Sequence, residues 1–222
     1  MLLDVPIGDD VLLTYATPIL RRQWPNTEAF NAGLKRLILA QEQAHPEFGQ
    51  QGLKSSSAGG WQSDPNVTEW PGPEIEQLKS MIVAGVSQVT RLALGPNPGD
   101  KRIRLEPQIA AWANINRDGN YNVAHNHPGH HWSGVYYVDA GQPDPAHPLS
   151  GVFEFHDPRG GATASPIPGF DFGYKFTVQP QAGMMLMFPS WHLHMVHPFR
   201  GAGERIVVAF NIRLKQFQIV DA

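Results

Sequence analysis

The chain has 222 residues, a hydrophobic share of 41%, and Lys+Arg 17 against Asp+Glu 20, a formal charge of −3. Such a length can bury a core without covalent staples, the apolar share is too high for a disordered chain, and the near-balanced charge draws neither nucleic acid nor an anionic membrane. With no cysteine at all, disulfides, thiolate zinc sites, iron–sulfur clusters and cysteine nucleophiles are excluded.

The first residues, MLLDVPIGDD, carry acidic groups where a signal peptide carries basic ones. No apolar run approaches the roughly 18 residues of a membrane span, so the expected compartment is the cytoplasm. Two helices are predicted next. In PNTEAFNAGLKRLILAQEQAHP, Phe30, Leu34, Leu37 and Ile38 recur at helical spacing after Pro25 and Asn26, with Glu28 in the first turn where the dipole favours an anion. A Ser/Gly-rich loop (SSSAGGWQSDPN) leads to PEIEQLKSMIVAGVSQVTRLAL, where Ile75, Leu78, Ile82, Val86 and Val89 share one face. Both stripes predict packing against a sheet.

From about residue 103 the pattern alternates as in strands: IAAWANINR, an Asp118-Gly119 hairpin signal, YNVAHNH, WSGVYYVD, GVFEFHD, YKFTVQP, GMMLMFP, HLHMVHP and ERIVVAFNIRL. Gly 22 and Pro 20 supply the turns between them. The predicted fold is mainly β with N-terminal helices: a jelly-roll barrel over 103–215, with residues 1–100 as a helical layer packed on it in a single domain.

Four of the ten histidines fall within seven positions, in HNHPGHH at 125–131. His125 and His127 are two apart, and on a strand such residues share a face. WHLHMVHPF supplies His192, His194 and His197 as candidates for a third ligand. Three imidazoles on facing strands with positions left open suit a catalytic divalent metal, whether iron, zinc, copper or nickel. Arg205 follows eleven residues after His194 inside a strand, placed to grip a carboxylate with its fork.

The blocks GNYNVAHNH, SGVYYV, GVFEF, VQPQAGMMLMFP and HMVHPFRGAGERIVVAFN, with Gly59-Gly60-Trp61 upstream, resemble the double-stranded β-helix of the 2-oxoglutarate- and iron(II)-dependent oxygenases, and within them a bacterial branch. The resemblance implies a dioxygenase that uses Fe(II) and 2-oxoglutarate to hydroxylate or otherwise oxidise a substrate. It also implies a His-x-Asp pair, a distal histidine, and an arginine on the far carboxylate of 2-oxoglutarate. By position these are His125, His194 and Arg205. The middle ligand departs from the pattern, because His127 stands where most of the superfamily has aspartate. Three imidazoles still leave three positions on iron(II), and the site becomes more positive by one charge. If His127 faces away, Glu154 or Asp157 could complete the set.

Two readings from other classes stay open on residues alone: a cupin-like three-histidine metalloenzyme without 2-oxoglutarate, and a non-catalytic metal- or ligand-binding jelly roll. Arg205 has a definite role only in the oxygenase. Tyr137 is the favoured further cofactor contact, while Asn114, Tyr121, Ser133 and Asn211 read equally well as satisfied core groups. His130 and His131 read as solvated turn residues, and His192 and His197 as surface or supporting hydrogen-bonders. Trp112, Trp132 and Trp191 read as core. The expected substrate is a small molecule or amino-acid-type compound, selected by loops 139–150 and 157–173, and a homodimer is the expected assembly.

Overall fold

The computed structural model describes residues 16–49, 53–54, 56–94, 99–160 and 175–221. The opening segment MLLDVPIGDD and residues 161–173 of the second specificity loop lie outside them. Helix α1 spans Glu28–Ala44 and α2 spans Pro73–Thr90. Phe30, Leu34 and Ile38 of α1 are buried, as are Ile75, Leu78, Ile82, Val86 and Val89 of α2. Pro73 opens α2 at a position whose N–H has no intrahelical partner, so the missing donor costs nothing there.

Among the described residues, twelve strands form two antiparallel sheets. They are β1 (Leu20–Gln23), β2 (Leu53–Lys54), β3 (Ser57–Ala58), β4 (Trp61–Gln62), β5 (Lys101–Asn116), β6 (Tyr121–His125), β7 (Trp132–Pro143), β8 (Phe153–Phe155), β9 (Phe176–Val178), β10 (Met184–Pro189), β11 (His194–Val196) and β12 (Gly201–Asp221). The first sheet runs β1-β10-β7-β12-β5-β4 and the second β2-β3-β6-β11-β8-β9. From β5 onward the chain passes back and forth between the sheets, which is the winding of a double-stranded β-helix.

Strand alternation divides the apolar residues into two cores. Tyr136, Val138, Met185, Met187, Ile206, Val208 and Phe210 turn outward from the first sheet and pack with the buried stripes of α1 and α2. Val135, Tyr137, Leu186, Phe188 and Val207 turn inward and meet Phe153, Phe155 and Val196 of the second sheet. The helical layer thus covers one sheet's outer face and leaves the space between the sheets for a site.

Three features differ from the sequence reading. The first hundred residues also supply β1 to β4, which extend both sheets. The Asp118-Gly119 turn carries the chain from β5 in one sheet to β6 in the other, so these strands are not a paired hairpin. Strands β5 and β12 also run further than expected, pairing from Arg205 with Asn116 out to Asp221 with Lys101.

Candidate metal centre

The end of β6 and the start of β11 lie side by side, with His194 directly opposite His125. Directly opposed residues present their side chains on the same face of a sheet. The chain leaves β6 at His125, so His127 reaches the group from the turn and not from the strand. Its backbone N–H donates to the Ser190 carbonyl at 2.8 Å, tying that turn to the segment before β11. His125, His127 and His194 each bring a ligand nitrogen within 4.8 Å of the others. The three ring centroids are 4.3 to 5.2 Å apart.

The backbone fixes two of the imidazoles. His125 Nδ1 lies 2.7 Å from the Val123 carbonyl, and His194 Nδ1 lies 2.8 Å from the His192 carbonyl. A carbonyl only accepts, so each Nδ1 must carry the proton and each Nε2 keeps its lone pair for an ion. Phe153 stacks on His194 at 5.2 Å and Phe188 meets its edge at 4.7 Å. Burial holds the His125 imidazolium below its ordinary range, takes His127 down to about 4 and His194 to about 2, and neighbouring histidines add repulsion for the last two. Neutral imidazoles are what a metal ligand set requires.

The group opens on a cavity of about 550 Å³ between the sheets, lined also by Trp112, Asn114, Gln62, Val207 and Arg205. Arg205 comes from β12 in the opposite sheet and is only 2% exposed. Its Nε donates to the Gly151 carbonyl at 3.2 Å, and its Nη2 has no partner among the described residues. The guanidinium lies 5.2 Å from the ring centre of Tyr137 and acts on its buried hydroxyl, which makes no hydrogen bond of ordinary geometry among the described residues. Burial pushes that hydroxyl up to about 12 and pulls Arg205 below its ordinary value. Three neutral imidazoles at one wall and an unpaired buried cation at another fit a divalent ion with a dicarboxylate.

Residues 110–211 match the family model described as "Putative 2OG-Fe(II) oxygenase". The matched stretch runs from β5 into β12, across the strands that build the barrel. Solved structures of this fold include a Pseudomonas putida prolyl-4-hydroxylase, 16% identical over 89% of this chain and 93% of that one, with a TM-score of 0.56. The carbocyclase SnoK from nogalamycin biosynthesis is 10% identical over 88% of this chain and 79% of its own, with a TM-score of 0.59. The epimerase SnoN, whose structure holds Fe3+, alpha ketoglutarate and nogalamycin RO, is 11% identical over 88% of this chain and 78% of its own, with a TM-score of 0.56. At such identities these likenesses describe the fold alone. A search of curated proteins finds no match.

The other candidate residues fall outside the metal group. Glu154 points away from the cavity, between Phe153 and Phe155, which face it. It is 2% exposed, paired with His197 at 2.8 Å and Lys175 at 2.9 Å. Asp157 pairs with Arg159 at 2.6 Å. His192 is buried and meets the His156 carbonyl through Nε2 at 3.0 Å, so it is no surface residue. His131 Nδ1 accepts from the Leu214 N–H at 3.1 Å, whereas His130 buries its Nδ1 without a partner. Ser133 donates to Asn211 Oδ1 at 2.7 Å, so Ser190, 2.8 Å away, must donate to Ser133. Those three pin the segment that holds His127. Tyr121 is 36% exposed, away from any such network.

Sequence reasoning misplaced two tryptophans and missed one wall. Trp112 lines the cavity and meets His127 edge-on at 6.0 Å, while Trp191 is 54% exposed. Ser57, Gln62 and Ser63 border the cavity from β3, β4 and the residue after it. The one signal for them was the Gly59-Gly60 pair, whose positive φ of 74° and 80° turns the chain from one sheet into the other.

Proposed function

We propose that His125, His127 and His194 hold iron(II), and that Arg205 with the Tyr137 hydroxyl binds the far carboxylate of 2-oxoglutarate. One observation carries this reading: a guanidinium 2% exposed, with an unpaired nitrogen, faces the same cavity as three neutral imidazoles. A buried charge without a counter-ion is costly, and a ligand carboxylate would remove that cost. Iron, 2-oxoglutarate and oxygen together supply the oxidising chemistry, directed at a C–H bond of a substrate. The chain supplies the rest. His125 and His194 present lone pairs fixed by backbone carbonyls, Arg205 sets the cosubstrate's orientation, and Phe153, Phe188 and Val207 keep water from the inner end. The cysteine-free chain suits the cytoplasm, where iron is kept ferrous, and among the described residues no helix is long and apolar enough to cross a membrane.

Anaerobic titration of Fe(II), then of 2-oxoglutarate, tests the assignment. Wild type should take up about one ion per chain, and His125→Ala or His194→Ala should lose it. Arg205→Ala should keep the ion and bind 2-oxoglutarate at least about thirtyfold more weakly, since one member of a buried charge pair is gone. Unchanged metal content in His194→Ala would rule out this centre. Equal 2-oxoglutarate binding by wild type and Arg205→Ala would favour the cupin-like arrangement.

A further inference from the structure

The charge of the centre is not cancelled by its surroundings. In the proposed function the ferrous ion is matched by the two carboxylates of 2-oxoglutarate, and the guanidinium of Arg205 is left over. An aspartate at position 127 would cancel it; an imidazole, which is neutral when it holds a metal, does not. Among the described residues that line the cavity there is no aspartate, glutamate or lysine. Three carboxylates adjoin lining residues in sequence without lining the cavity: Glu154 is turned to the other face of its sheet and held by His197 and Lys175, Glu204 pairs with Lys35, and Asp64 is exposed to water. The loaded cavity therefore carries one positive charge in a space walled by Phe153, Phe188 and Val207. Low-dielectric walls focus such a charge and raise the local concentration of anions.

The outer wall has the matching chemistry. Ser57, Gln62, Ser63, Asn114, Asn122 and Asn126 offer hydroxyl and amide groups without charge. Asn122 Nδ2 donates to Ser57 Oγ at 2.9 Å, and Ser57 donates to Gln62 Oε1 at 3.3 Å. That chain of donation links β6, β3 and β4 across the two sheets. Trp112 and Pro65 add an apolar surface beside it. A dianionic phosphate would call for further cations, and Arg205 is the one cationic side chain among the described lining residues.

We infer that the substrate of this centre is a small monoanion, a carboxylate on an apolar body, selected by the uncancelled positive charge that His127 leaves in the cavity. The inference rests on the proposed function, and its test separates the two. Cobalt(II)-loaded protein saturated with 2-oxoglutarate would be titrated with benzoate, benzamide and benzylammonium, which share a ring and differ in charge. Paramagnetic broadening of the ring-proton resonances reads occupancy near the ion without any turnover. Benzoate should bind about tenfold or more tightly than benzamide, the factor expected of one partly screened charge, and benzylammonium should bind weakest. In His127→Asp, loaded with cobalt, the preference for benzoate should shrink to about threefold or less, because the new carboxylate cancels the excess. Equal binding of the three probes in wild type overturns the inference, as does an undiminished preference in His127→Asp, and in both cases the metal and cosubstrate assignments stand. Should His127→Asp not retain cobalt, the order of the three probes in wild type decides alone. Failure of wild type to take up cobalt or 2-oxoglutarate overturns the proposed function and the inference with it.

Discussion

Arg205 and Tyr137 bury polar atoms that make no hydrogen bond of ordinary geometry within the described protein, and such an atom costs up to about 3 kcal/mol in the ligand-free state. Their presence is explained if a ligand completes them, so the hydroxyl and the guanidinium should matter more to binding than to stability. Tyr137→Phe deletes a hydroxyl that makes no hydrogen bond of ordinary geometry and keeps the ring, so the ligand-free protein should unfold at about the same urea concentration. The same change should weaken 2-oxoglutarate binding by about tenfold, the worth of one hydrogen bond to a charged group. A variant that loses stability but not affinity would assign the hydroxyl to the fold. The histidines make a second prediction, on pH. Folded His127 sits at about 4 and His194 at about 2, against an ordinary 6.5. Between those values the unfolded chain binds more protons than the native one, so stability is full above about pH 6.5 and falls as the pH drops below it. In chelator, urea midpoints at pH 5 should lie below those at pH 7.5, by on the order of 2 kcal/mol for each of the two rings. A flat profile would show that neither ring is buried in the metal-free protein.

At the level of elements, the eight strands of the barrel were readable as short alternating runs between Gly/Pro turns, or in β10 as a continuous apolar run buried on both faces, and α1 and α2 because their stripes repeat at helical spacing. The candidates His125, His194 and Arg205 stood out by their spacing. His125 belongs to a pair two apart, His194 to a second histidine cluster, and Arg205 follows it by eleven residues inside a strand. Strands β1 to β4 were not readable: two to four residues contain too few alternations, and their pairing is with distant segments such as Met184–Met187 and Ile115. The wall of Ser57, Gln62 and Ser63 was hidden for that reason, although the glycines that build it stand in the sequence. Gly60 has φ of 80°, and a Cβ there would lie 2.7 Å from the Ile115 carbonyl oxygen and 2.9 Å from Asn116 Oδ1. Backbone at that distance cannot swing aside as a side chain can. Gly60→Ala should therefore cost about 2 kcal/mol or more in urea unfolding. Gly119 has a similar φ of 88°, but its nearest neighbour is the Arg200 guanidinium at 3.6 Å. Gly119→Ala should cost only about 1 kcal/mol, the conformational share alone. Equal losses at the two positions would mean that β3 and β4 do not approach β5 as closely as described.

The molecule as a whole divides its site between the two sheets, and that division makes ligand binding a test of the architecture. His125 and His194 stand on neighbouring strands β6 and β11 of the second sheet, so an ion there joins strands that are already paired. Arg205 stands on β12 of the first sheet, across the cavity. A dicarboxylate held by the ion at one end and by Arg205 at the other would tie sheet to sheet. Ligands that bind only the native state stabilise it by mass action, about 2.7 kcal/mol at a hundredfold excess over Kd. For a chain of this size that corresponds to a rise in melting temperature of roughly 5–10 °C. Cobalt(II) alone should give one such increment. 2-Oxoglutarate alone should give little, because its inner end has no ion to meet, and with cobalt it should give a second increment. Arg205→Met removes a buried cation that lacks a counter-ion, so the ligand-free variant should melt no lower than wild type. It should keep the cobalt increment and lose the 2-oxoglutarate one. Were 2-oxoglutarate to stabilise cobalt-loaded Arg205→Met as much as wild type, its far carboxylate would have to be held elsewhere, and the bridge between the sheets would not exist.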